Sequence, residues 1–141
     1  MNSKCSLSNY FSLNRRYSRS INLERDFELP DTILGYVLTD RAIDAFRRIF
    51  SSIVSEHSLD SGRRGSHAWT LTGVYGTGKS AFVHYLISLS APESSLTRKY
   101  ALDIAQKSLG KQSKEYKDLV VALPKQGFFR AIAVGQQEPL R

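Results

Sequence analysis

Eight consecutive residues carry the clearest chemistry in this chain: Gly73-Val74-Tyr75-Gly76-Thr77-Gly78-Lys79-Ser80. They fit the spacing G-x-x-x-x-G-K-[ST], a glycine turn that opens a helix. A polyphosphate needs many donors held still in a space too tight for side chains. Gly73, Gly76 and Gly78 let the backbone bend where a Cβ would clash and let it approach an anion closely. The amides from about Gly76 to Ser80 can then line a concave nest. The helix starting near Lys79 adds the partial positive charge of its N-terminus. In this reading Lys79 is the catalytic cation that reaches the β- and γ-phosphates, and the Ser80 hydroxyl ligates Mg²⁺. The binding segment is the whole stretch from Gly73 to Ser80, with Val74, Tyr75 and Thr77 contributing backbone.

The flanks must position that loop. Ala68-Trp69-Thr70-Leu71-Thr72 is rich in strand formers, and Ala81-Phe82-Val83-His84-Tyr85-Leu86-Ile87 suits a helix. Strand, glycine turn and helix together resemble the P-loop NTPases. The resemblance implies an α/β fold: a partial P-loop core of three αβα layers around an incomplete parallel sheet, with an amphipathic helix before it. The order Ile21-Asn22-Leu23-Glu24-Arg25-Asp26-Phe27, Gly35-Tyr36-Val37-Leu38-Thr39 and Trp69-Thr70-Leu71-Thr72-Gly73 further resembles the amino-terminal part of large prokaryotic ATPases of the AAA+ or STAND kind. That likeness implies ATP with Mg²⁺ as the ligands. The lack of an N-K-x-D base-reading motif agrees with ATP over GTP.

Around the loop, the chain divides into a basic N-terminal arm, 1–20, and the front half of an NTPase domain, 21–141. The arm holds Lys4, Arg15, Arg16 and Arg19 and no acid. Its composition loosely resembles a transit peptide, but a partly ordered arm is the reading preferred here. Near Ile21 a short strand is expected, and Leu29-Pro30-Asp31 reads as a turn. Thr39 is placed to cap a helix whose apolar face comprises Ala42, Ile43, Phe46, Ile49, Phe50, Ile53 and Val54. That face is expected to pack on the sheet, with Arg41, Asp44, Arg47, Arg48 and Glu56 turned away from it. Ser58 to Ser66 is a polar loop. A helix is predicted over Leu96 to Leu109, ending at Gly110. Tyr116, Leu119, Val120 and Leu123 repeat at helical spacing up to Pro124, with a strand at Leu119–Leu123 as the alternative. Phe128 to Val134 is the second good strand candidate.

A complete NTPase also needs an apolar strand ending in an acid, which holds Mg²⁺ or polarises the attacking water. Asp118 lies at the wrong end of its apolar run, Asp103 falls in a helical pattern, and Glu138 trails the last strand candidate. Hydrolysis is therefore expected only when further sequence or a partner protein completes the core. The alternatives are a truncated, non-catalytic fragment of a larger ATPase and a basic segment that binds nucleic acid or a partner.

Composition bounds these readings. The 141 residues, 41 % of them hydrophobic, are enough for one domain with a core. No apolar run is long enough to cross a membrane as a helix. A net charge of +7, from 20 Lys and Arg against 13 Asp and Glu, favours polyanionic partners. No stacking, zinc or helix-turn-helix signature accompanies that charge. The single cysteine, Cys5, excludes an internal disulfide and suits a cytoplasmic setting.

Overall fold

A computed structural model describes residues 21–57, 68–133 and 135, with side chains for all of these except 53–57. Expectations for the arm 1–20, the polar loop 58–66, Val134, Glu138 and the side chains of Ile53, Val54 and Glu56 lie outside the described residues.

Five α-helices make up the described chain: α1 (Leu23–Asp26), α2 (Asp40–His57), α3 (Lys79–Leu89), α4 (Leu96–Leu109) and α5 (Lys114–Ala122). A 3₁₀ turn, Pro30–Thr32, links α1 to α2. Local chemistry sets most of the starts. The Asn22 side chain accepts from Arg25 N, Thr39 Oγ1 from Ala42 N at 3.3 Å, Ser95 from Thr97 N and Ser113 from Tyr116 N. Each satisfies a first-turn amide that has no intrahelical partner. α3 is the exception: its N-cap is Gly78, which offers no side chain. Gly110, with a positive φ, closes α4 as its spacing predicts.

The expected α/β core is not what the chain builds. No strand is present among the described residues, so the parallel sheet and the three αβα layers are replaced by an all-helical packing. Trp69 to Thr72 runs as a single exposed segment without ladder partners. Residues 128–133 are also irregular, held first by Phe128 N donating to Ser90 O at 2.8 Å. The strand expected near Ile21 gives way to α1, because Asn22 caps a helix there. Leu119–Leu123 lies mostly in α5, resolving that ambiguity for helix. The physical reason is partnership. Strand propensity records a fit to a pleated, half-buried neighbour, and the apolar faces of these helices bury one another instead.

The core centres on Tyr85 of α3, which is fully buried. Its ring meets Tyr36 at 5.6 Å and Phe46 of α2 edge-on at 6.1 Å between centroids. Leu89 joins it from α3, Ala101, Ile104 and Ala105 from α4, and Leu119 from α5. The α2 stripe therefore packs on helices rather than on a sheet, while Arg41, Asp44, Arg47 and Arg48 stay exposed as expected. No described helix is long and apolar enough to cross a membrane.

Two contacts lock the α3–α4 connection to the end of α5. The buried guanidinium of Arg98 donates to the carbonyls of Ala91 at 3.1 Å, Leu123 at 3.1 Å and Pro124 at 2.6 Å. Carbonyls at a helix end lack intrahelical donors, so one cation serves several of them. Gly127, at φ 76°, lies against the facing backbone, where an added Cβ would stand 2.7 Å from Ser90 O, Ala91 C and Pro92 N. Gly110 has a similar φ of 87° but open space around it. Gly110→Ala should therefore cost about 1 kcal/mol, the left-handed penalty alone. Gly127→Ala should cost at least about 2 kcal/mol more, because backbone must move. Urea unfolding of the two variants measures the difference, and equal midpoints would contradict the packing described.

Candidate functional site

The glycine loop stands where α3 emerges from the core. The face of α3 that carries Phe82, Tyr85, Ser88 and Leu89 is buried, whereas Gly73 to Gly78 and Ser80 are exposed. Gly76 and Gly78 take φ of 82° and 83°. That left-handed conformation is costly for other residues and turns the chain sharply into the helix. No described atom comes within 4 Å of a Cβ at either position. Conformation rather than crowding therefore requires glycine there.

Two side chains close the loop. Lys79 Nζ donates to Gly73 O at 2.8 Å and to Val74 O at 2.7 Å. Thr77 Oγ1 donates to Val74 O at 2.9 Å. An ammonium has three donors, so two hold the loop and one remains. The first intrahelical bond is Phe82 N to Gly78 O at 2.9 Å. Lys79, Ser80 and Ala81 thus present the first-turn amides, and Gly78 supplies no oxygen to satisfy them. Tyr75 and Gly76 stand in a hydrogen-bonded turn just ahead of the helix. The result is an exposed, strapped turn whose donors belong to one short segment.

Gly73, Val74, Thr77 and Lys79 are joined by side-chain bonds within the loop, and Gly76, Gly78 and Ser80 lie in the same short turn into α3. Tyr75 stands apart: its side chain is 96 % exposed at the tip and touches nothing in the core. No acid joins them. Asp118 sits exposed on α5, and Asp103 on α4 pairs with Lys107 at 2.6 Å. Among the described residues no group of three or more His, Cys, Asp or Glu could hold a metal ion.

What sequence reasoning passed over is the tether behind the loop. His84, 1 % exposed, lies on α3 between the loop and the core. Its Nε2 donates to Asp26 O at 3.0 Å, with Thr32 Oγ1 at 3.2 Å. It thereby clasps α1 and the 3₁₀ turn to α3. Arg25 holds the buried Asp26 carboxylate through Nε at 2.7 Å and a second nitrogen at 2.9 Å. The signal was present as a histidine within an otherwise apolar helical run, but its partners lie far away in sequence.

Comparison with protein-family models, curated proteins and solved structures finds no match to this chain. The functional reading therefore rests on the loop's residues and geometry.

Burial pulls the His84 pKa below its ordinary value, against a smaller upward pull from the Asp26 carbonyl and charge. The neutral ring is the form the fold favours. Its contribution is fully present above the unfolded pKa of about 6.5 and is lost as pH falls through the lower folded value. Denaturant unfolding between about pH 7.5 and pH 5 should show stability falling with acidification, and His84→Gln should flatten that slope. An unchanged slope in the variant would contradict the clasp.

Proposed function

We propose that this chain is an ATP·Mg²⁺-binding module whose phosphate site is the loop Gly73–Ser80. The observation that carries the proposal is the strap. Lys79 closes the loop on the carbonyls of Gly73 and Val74 while keeping one N–H in reserve. A ligand then meets a turn already folded, so less ordering entropy is lost on binding. The likeness to P-loop NTPases is carried by this loop and by the helix that follows it.

The residues fit the ligands in kind. Amides from Gly76 to Ala81 would hold the β- and γ-phosphates, assisted by the Lys79 ammonium and the N-terminal end of α3. The Ser80 hydroxyl would ligate Mg²⁺, which would neutralise phosphate charge. Because no carboxylate accompanies the loop among the described residues, hydrolysis is assigned to the module only when further sequence or a partner protein supplies the acid. The reading carries with it a cytoplasmic setting, consistent with the lone Cys5.

Equilibrium binding of labelled ATP with Mg²⁺ tests the proposal. Lys79→Ala removes both the strap and the phosphate cation and should weaken binding by about tenfold to a hundredfold. Thr77→Val removes only the second loop bond and should cost less than about tenfold. Wild-type affinity in Lys79→Ala, with the fold intact by circular dichroism, would overturn the proposal.

A further inference from the structure

Beneath the loop lies a second feature, independent of the phosphate site. A cleft of about 610 Å³ opens between α2, α3 and the segment before the loop. Its walls are apolar: Ile49 of α2, Trp69 and Leu71, and Phe82, Val83 and Leu86 of α3. Trp69 is 48 % and Leu71 41 % exposed there, so large apolar surface faces solvent. Isolated exposed apolar residues are ordinary, but several converging in one concave cleft mark an interaction site.

The rim is charged, and the charge is uneven. Arg41 and Arg48 line the cleft, both exposed, and neither forms an ion pair among the described residues. They are seven residues apart on α2, hence on one face and about 10.5 Å apart along its axis. Asp44 sits between them, but it already pairs with Arg47 at 3.2 Å. Among the described residues the cleft thus offers an apolar floor and two guanidiniums outside any ion pair, spaced by two helical turns.

We infer that this cleft docks an amphipathic helix of a partner protein, with apolar anchors on one face and two carboxylates about two turns apart beside them. A helix laid into a groove between two helices uses anchors at i, i+3, i+4 and i+7, and its flanking acids would meet Arg41 and Arg48. Nucleic acid fits less well. The floor is apolar, the described rim carries two unpaired guanidiniums, and the carboxylate between them repels a phosphate chain. A second copy of this chain also fits less well. The chain carries a net charge of +7, and its exposed Phe129 is followed by Arg130 rather than by acids.

Selection from a random library of displayed helical peptides tests the inference, with the full chain as bait. The expected outcome is enrichment of acidic, apolar-faced sequences. Synthetic copies of these should bury Trp69, the chain's single tryptophan, and shift its fluorescence to the blue. Arg41→Glu with Arg48→Glu, both at exposed positions, should weaken those peptides by about tenfold or more and turn selection towards basic sequences. Enrichment of no family, or of one indifferent to the double substitution, would overturn it. So would labelled single-stranded DNA that competes for the Trp69 signal. Concentration-dependent dimerisation, seen in sedimentation and abolished by the double substitution, would do the same. ATP titration leaves this readout to the cleft alone when Lys79→Ala is used as bait, so failure here and failure at the phosphate loop are distinguishable.

Discussion

The arrangement depends on one ammonium held by two carbonyls. Without the bonds from Lys79 Nζ to Gly73 O and Val74 O, the turn before α3 would be an exposed glycine-rich segment with many conformations of similar energy. With them, the first and last parts of the loop are joined. Exposed charge-to-carbonyl bonds are individually modest. Their effect here is large relative to their strength because glycine imposes so little order of its own.

A strap of this kind works only on a helix that does not move. α3 is held along its length by Tyr85 in the aromatic cluster with Tyr36 and Phe46, by Leu89 in the core, and by His84 clasping Asp26 O. Behind it, Arg98 and Gly127 fix the chain where α3 ends and α5 returns. A phosphate site needs a rigid helix N-terminus more than it needs any particular layer beneath it. In this chain α3 is held by helices, where a sheet was expected.

The local features were legible because their causes are local. Gly73, Gly76, Gly78 and Lys79 stand at fixed offsets, Gly110 follows its helix, and the α2 and α4 stripes show through three- and four-residue spacing. The sheet was misread for the opposite reason. Trp69-Thr70-Leu71-Thr72 and Phe128-Phe129 have the composition of strands, but a strand is defined by a neighbour that the sequence does not name. His84, Arg98 and Gly127 were missed for the same cause. Each matters through backbone groups far away in sequence, and nothing in its own neighbourhood announces them. The pairing of Arg41 with Arg48 was visible as a seven-residue interval, but its meaning appeared only when Trp69 and Leu71 were seen beside it.

The central claim, that main-chain amides at the start of α3 receive a polyphosphate, is most directly tested by amide-resolved NMR during titration with ATP and Mg²⁺. The account predicts that the largest shifts fall on the amides from Gly76 to Ala81, with the α4 and α5 amides unmoved. Shifts that are absent from this stretch, or that centre on α4 or α5 instead, would contradict it.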